Sequence, residues 1–362
     1  MIDLKSIDIN KISGFFRKKP QRVGVEVEGG KARLVRIVKN GVDGYLISGF
    51  AEIDFELDSF SIAEKEAFHV QMLRLAYGVQ HVAVNIEDQS LRLRRMVFPK
   101  MPDQDMQEAI KWNFREHIEV PIEDYLAGCL PLSGGVEGNK VAVVAYGVSR
   151  HATDRYLLRF KSLGFKVAAL EPVASALHMS FYTCGMLQDD KCHSCMAFGN
   201  KMTHFVIFRG RELLFSRPLS QINRDGVVRQ IMRDANLIEG VVQDMMSNWI
   251  AGKEPGTGLE LSIDVIGKFH ATVKHFMSQM VIEIQRSIDA FSILYGLEKV
   301  DSLHVAGQGS FYPGLVEHVQ KSLGIKTEVF NPFLSLLDKT SVTEEVLKLG
   351  PLYAVATGLA MP

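Results

Sequence analysis

VGVEVEGGKARLVRIV, residues 23–38, and CMAFGNKMTHFVIF, residues 195–208, are the two stretches on which the fold turns. In the first, Val23 to Val27 reads as a strand, Glu28-Gly29-Gly30 as a turn, and Ala32 to Val38 as the returning strand. Gly41-Val42-Asp43-Gly44 then signals another hairpin turn and a third strand. In the second, Cys195 to Phe198 is the strand, Gly199-Asn200-Lys201 the turn and Thr203 to Phe208 the return. Arg209-Gly210 turns the chain again into Leu213 to Ser216. The same three-strand unit is used twice, which is an internal repeat.

Around these units helices alternate with strands, so the class is α/β. Residues 61–77 read as a helix and His81 to Ile86 as a strand. Pro102-Asp103 opens a helix with Met106, Ile110, Phe114 and Ile118 four residues apart. Val141 to Tyr146 is an apolar strand, 151–163 a helix closed by Gly164, and Phe165 to Leu170 a strand. Pro172 suits the first turn of the next helix. A long helix is expected from His270 to Tyr295, with an apolar stripe from Val273 to Phe291 that reads as core. Strand Ser302 to Ala306 leads into Gly307-Gln308-Gly309-Ser310, followed by a helix, a strand at 326–330 and a buried C-terminal helix.

The chain of 362 residues carries 41 Lys+Arg against 42 Asp+Glu, a net charge of −1. That balance argues against a nucleic-acid binder, which shows a basic excess. No apolar run approaches the ~18 residues of a membrane span. The start, MIDLKSIDIN, lacks the pattern of a secretion signal, so a cytosolic chain is expected. Phe15, Phe16, Arg17, Lys18 and Lys19 put aromatics beside cations, either a solvated extension or a contact with an anionic surface or partner. Cys192-x-x-Cys195, with Cys184, His178 and His193 near, has zinc-ligand spacing, but a second CxxC or CxxH is missing. Free thiols in a loop before a buried strand are the other reading, and the sequence leaves metal binding open. Cysteine–histidine or serine–histidine catalytic arrangements cannot be assembled from these spacings, and no catalytic residue is assigned.

The repeated hairpin units, with a late strand ending in glycines before a helix, look like the actin-like ATPase fold. Within it, Asp105 to Tyr125 (DMQEAIKWNFREHIEVPIEDY), Val141 to Ala145, helix 151–163 and Leu170 to Leu177 resemble the inserted subdomain of the type IV pilus assembly protein PilM family. Glu283 to Ile288, Asn331-Pro332-Phe333 and Tyr353 to Leu359 fit the same family. The resemblance covers about residues 20–362, in order.

It implies two lobes, each with a mixed β-sheet, plus an inserted FtsA/PilM-type α+β subdomain. Residues 1–19 would be a tail and 20–90 subdomain 1A, completed by the C-terminal helix 340–362. Residues 91–170 would be the insert 1C, and 171–193 a connecting helix and loop. Residues 194–225 with 298–339 would be subdomain 2A, and 226–297 subdomain 2B.

The family binds ATP with Mg²⁺ between the lobes, on glycine turns whose backbone N–H groups approach the phosphates. Carried over, the nucleotide positions are Glu26, Glu28, Gly29, Gly30 and Lys31, then Gly199 and Asn200, then Gly307, Gln308, Gly309 and Ser310. Glu26 falls where the family has Asp, and Glu28 on a glycine of the first phosphate turn. Ala197 replaces an acidic residue, Ile222-Asn223 a Gly-Gly pair, and Gln308 a glycine. A carboxylate at Glu28 beside triphosphate is repelled by about 4 kcal/mol at ~4 Å and an effective dielectric near 20. These departures predict weak or lost ATP binding.

The resemblance implies a cytosolic adaptor of a pilus or related inner-membrane platform. It would be peripheral to the membrane, holding the short cytosolic tail of a PilN-like single-span protein beside other platform proteins. An ATP-driven switch and the L-type component of a type II secretion system are the alternatives. The tail would dock on residues 20–175, with Ile110, Phe114 and Ile118 as an apolar wall and Lys111 and Arg115 meeting acidic residues. That stripe reads equally as core against strand 141–146.

Overall fold

A computed structural model of the chain describes residues 22–41, 44–59, 61–132, 138–296, 298–338 and 342–361. The tail expected over 1–19, with its aromatic and basic cluster, lies outside the described residues. Strands β1 (Arg22–Glu28), β2 (Lys31–Asn40) and β3 (Gly44–Asp54) form an antiparallel meander. Helix α1 (Ile62–Ala76) returns the chain to β4 (His81–Ile86), parallel to β1. The chain then leaves the sheet for β5 (Arg92–Pro99), α2 (Asp103–Phe114), β6 (Tyr125–Pro131) and β7 (Lys140–Ser149), a three-stranded sheet of order β5-β7-β6. It comes back through α3 (Arg150–Ser162) and β8 (Lys166–Pro172), and the first sheet closes in the order β3-β2-β1-β4-β8.

Helix α4 (Val173–Thr183) leads to the second unit: β9 (Cys192–Phe198), β10 (Thr203–Arg209) and β11 (Glu212–Leu219). Helices α5 (Arg224–Ala235), α6 (Glu239–Ile250) and α7 (Ile263–Leu294) follow, then β12 (Ser302–Gly307), α8 (Leu315–Leu323) and β13 (Lys326–Val329). This sheet runs β11-β10-β9-β12-β13, strand for strand the order of the first, with the same antiparallel meander and parallel pair. The sequence repeat is therefore a duplication of architecture, and the fold is that of the actin-like ATPases. Short helices α9 (Phe333–Leu336), α10 (Glu344–Lys348) and α11 (Ala354–Leu359) end the chain against the first sheet.

Both faces of each sheet are covered, and residues 23–26 of β1 and all of β9 are buried on both faces. The outer face of the first sheet buries Val23, Val25, Leu34 and Val84 against Phe68 and Met72 of α1 and Tyr156 and Phe160 of α3. The outer face of the second buries Met196, Phe198, Phe205 and Ile207 under α5, α6 and α7. Between the sheets lie α4 and α11, sharing one core with Ala83, Ala197, Val206, Phe208 and Ala306. There the crossing is at backbone contact: a Cβ on Gly358 would sit 1.7 Å from the Ala176 carbonyl oxygen.

Three expectations change. The long helix begins at Ile263 rather than His270, because Ser262 caps it: its hydroxyl accepts the Val265 N–H at 3.3 Å. Strands β5 and β6 were not legible, since RLRRMVFP is dominated by charge and YLAGCLP by Gly and Pro. Cys192 and His193 lie inside β9, not in a loop before it. Three residues apart on a strand, Cys192 and Cys195 point to opposite faces and join different cores, so they cannot share a metal.

The Gly358 contact gives a direct test. Gly358→Ala should lower stability by about 2–3 kcal/mol, read from the denaturant midpoint at unchanged slope.

Candidate functional site

The C-terminal ends of β1, β4, β9 and β12 meet at one cleft between the lobes, lined by Glu26, Glu28, Arg33, Glu87, Gly199 and Gly307 among others. Such ends of parallel strands are where α/β folds place ligands. The first repeat brings its turn, Glu28-Gly29-Gly30, against Gly199-Asn200-Lys201 of the second. Gly29 has φ +57, and a Cβ there would lie 2.1 Å from Asn200 Nδ2, so glycine is required by both conformation and contact.

The Glu28 carboxylate crosses the cleft. Its Oε1 accepts the backbone N–H of Asn200 at 2.5 Å and of Lys201 at 3.1 Å. Two successive amides in a glycine turn make an anion-binding concavity, and here the anion is the protein's own side chain. The carbonyls of the same turn accept the first amides of α5, Arg224 N–H to Gly199 O and Asp225 N–H to Asn200 O. A second link crosses beside it, His204 Nε2 to Glu87 Oε1 at 2.6 Å. The space enclosed by Glu28, Arg33, Gly199 and Gly307 is about 30 Å³, room for a water or two, and a cavity of about 490 Å³ adjoins it, sharing Glu87, Val173, Met202 and His204.

Charge is concentrated behind the clasp. Arg33, 4 % exposed, lies 3.6 Å from Glu26 Oε2 and donates from Nε to Glu52 at 2.9 Å. Glu26 is buried, and its Oε2 has no hydrogen-bond partner among the described residues. Burial pushes its carboxyl up to about 7; Arg33 pulls it down, while Glu28 and Glu87 push it further up. Burial also raises Glu28, against the pull of the Lys201 amide and Arg33. Asn85 ties the floor of the cleft together, accepting the Val27 N–H at 2.7 Å and donating to the Val27 carbonyl at 3.1 Å.

Of the nucleotide positions read from sequence, Glu26, Glu28, Gly199, Gly307 and Gln308 line the cleft, and Gly29 and Asn200 touch across it. Gly309 packs on the Phe198 ring beside the cleft, and the Ser310 hydroxyl donates to the Gly307 carbonyl at 2.6 Å. Lys31 lies in register with Glu28, and its Nζ pairs with Asp54 at 2.6 Å and Glu52 at 3.8 Å rather than lining the cleft. Gly30 faces Glu56 and not the second lobe. Asn223, where a glycine pair was expected, caps α5 by accepting the Gly226 N–H at 2.7 Å. Arg33, Asn85, Glu87 and His204 escaped the sequence reading. Their one signal was a polar residue inside or at the end of an apolar strand.

The amides of the second glycine turn hold Glu28, and Ala197 places no carboxylate near the end of β9.

The wall proposed from Ile110, Phe114 and Ile118 is also corrected. Ile110 and Phe114 are fully buried with Phe98, Tyr125 and Val143, and Ile118 packs against the same cluster, so the stripe is the core of the small subdomain. What α2 shows to solvent is Trp112, with the Arg115 guanidinium 5.1 Å above its ring. Lys111 is half-buried beside it. A groove of about 430 Å³ instead runs along β5, the edge strand of that subdomain, lined by Leu93, Arg94, Met96, Asn113 and His117 and closed on its far side by β11. Among the described residues no cluster of three His, Cys, Asp or Glu could hold a metal ion.

The sequence profile of the family described as type IV pilus assembly protein PilM matches residues 269–362. No curated protein matches the chain. Among solved structures, that of a PilM–PilN type IV pilus biogenesis complex superposes with a TM-score of 0.77 at 20% identity, over 94% of this chain and 98% of that one. The ethanolamine utilization protein EutJ from Carboxydothermus hydrogenoformans superposes with a TM-score of 0.51 at 10% identity, over 94% and 88%. The resemblance read from the sequence thus holds at two levels, in the profile over the C-terminal segment and in the fold over nearly the whole chain.

Two outcomes are expected. Glu28→Ser strips the Asn200 and Lys201 amides of their acceptor and should lower stability by about 1–3 kcal/mol. Inorganic sulfate should then raise the variant's Tm more than that of the parent chain, by binding the vacated amides. The second concerns pH. Between the ordinary carboxyl value of 4.5 and about 7, folded Glu26 keeps a proton that the unfolded chain releases. Stability should therefore fall as pH rises through that window, and Glu26→Gln should flatten the fall in urea titrations at pH 5 and pH 8.

Proposed function

We propose that this chain is a component of a type IV pilus or related secretion assembly platform, working as an adaptor that captures the short cytosolic tail of a PilN-like single-span membrane protein. The observation that carries the reading is the match, at a TM-score of 0.77 over 94% of the chain, to the structure of a PilM–PilN complex. The profile match over 269–362 agrees with it. No described helix is long and apolar enough to cross a membrane.

The closed cleft supports an adaptor over an ATP-driven switch. A switch needs a ligand that binds one lobe arrangement better than another. Here the anion that holds the lobes together is covalently part of the chain, so closure does not wait for nucleotide. In this reading the nucleotide positions have become a structural clasp, and the binding surface lies elsewhere.

The groove along β5 suits the tail. β5 pairs only with β7, so its other edge faces the groove and β11 across it, where backbone donors and acceptors would meet an extended peptide and Leu93 and Met96 offer apolar contacts. Exposed Arg94 stands at its rim for an acidic residue. The inserted subdomain would then be the part that reads the partner, and the two lobes the scaffold that carries it.

The test is binding of a synthetic tail, taken from a single-span protein encoded beside this chain, followed by fluorescence anisotropy. Saturable binding is expected, weakened about tenfold or more by Met96→Asp, with crosslinks mapping to β5. No binding, or crosslinks confined to α5–α7, would refute the tail-capture reading. Millimolar Mg-ATP should leave the Tm of the parent chain unchanged, since only a ligand of the native state raises it.

A further inference from the structure

The end of the first lobe opposite the cleft has a composition unlike the rest of the surface. There β1, β4 and β8 begin side by side, with Arg22 in register with His81 and His81 with Lys166. Helices α1 and α3 both end here. His69 Nε2 meets the Leu163 carbonyl at 2.6 Å, and the Lys166 N–H donates to Gln80 O at 2.9 Å. The end of β2 joins them, its Arg36 donating to the Leu75 carbonyl at 2.9 Å.

Val70, Leu73 and Tyr77 lie on one face of α1 and its C-terminus, spaced by three and four residues, and are 51%, 58% and 85% exposed. A helix apolar on both sides has a second face to cover. The cations around it are Arg74, Lys161, Lys166 and Lys39, all exposed. Residues 31–41, 70–81 and 159–167 contain no Asp or Glu. Glu66, the acid on the exposed side of α1, sits a turn further from this end. Phe15, Phe16, Arg17, Lys18 and Lys19 precede Arg22, the residue at which the chain enters this same end.

We infer that this pole of the first lobe is a contact surface for anionic lipid. Its chemistry is that of an interfacial site: an apolar stripe ended by a tyrosine, set among exposed cations that have no ion pair among the described residues. A bilayer carrying phosphatidylglycerol or cardiolipin supplies both an acyl boundary for Leu73 and Tyr77 and phosphates for Arg74, Lys161 and Lys166. A purely acidic protein segment would leave the stripe uncovered. The contact stands on the opposite side of the lobe from the cleft and does not rest on tail capture.

The experiment is co-sedimentation of the full chain with phosphatidylcholine vesicles, with and without phosphatidylglycerol, at low and high salt. Binding is expected only with phosphatidylglycerol and at low salt. Combined Arg74→Gln, Lys161→Gln and Lys166→Gln should weaken it roughly a hundredfold, at about fivefold per cation. Leu73→Ser with Tyr77→Ser should weaken it roughly tenfold. All five positions are exposed, and an unchanged melting temperature would show that the variants fold. Equal sedimentation with both vesicle types would overturn the inference. So would undiminished binding by the triple variant, including the case in which Phe15→Ser with Phe16→Ser alone abolishes it. Poly-glutamate competing as effectively as anionic vesicles would assign the surface to an acidic protein instead. Binding of the synthetic tail, measured without lipid, separates failure here from failure of the adaptor reading.

Discussion

One carboxylate holds the lobes in the arrangement seen here. Glu28 reaches from the first repeat to two amides of the second, at 2.5 and 3.1 Å. Charge-assisted bonds of this kind are the strong ones, and these are half-shielded from water. Around them the two glycine turns lie in direct contact, the space they enclose is about 30 Å³, and the helix that follows β11 starts on the carbonyls of the same turn. Remove the acceptor, and both the amides and the turn-to-turn packing lose their reason to be closed.

The clasp also explains why so much charge is tolerated behind it. Glu26, Glu28, Glu52 and Glu87 surround a single buried guanidinium, Arg33, and a histidine, His204. Four carboxylates on fewer partners cannot all be comfortably ionised, and burial holds Glu26 near neutrality. An actin-like site that worked on a triphosphate would place Mg²⁺ among such carboxylates. Here the excess is absorbed by protonation and by backbone amides.

If the cleft no longer carries function, surfaces do. The inserted subdomain has its own core of Phe98, Ile110, Phe114 and Tyr125 and presents the β5 edge beside a groove. The far pole of the first lobe presents cations around an uncovered helix face. Both belong to the first repeat, while the second repeat devotes its helices to a large core of its own.

The sequence by itself determined the repeat, the class and the placing of the turns, because a strand–glycine–strand pattern is local and each residue's periodicity reports its own burial. It also flagged Glu28 as out of place where a glycine was expected. It could not show where that carboxylate goes, since Glu28 and Asn200 are brought together only by two sheets packing on α4 and α11. The same limit hid β5, whose arginines look solvated until Arg95 is seen over the Tyr295 ring, 4.8 Å from its centroid. It also left Ile110 and Phe114 undecided between wall and core. A helical stripe tells that one face is apolar and never what covers it. For α2 the tertiary structure supplied the cover, and for α1 no described residue covers the second face.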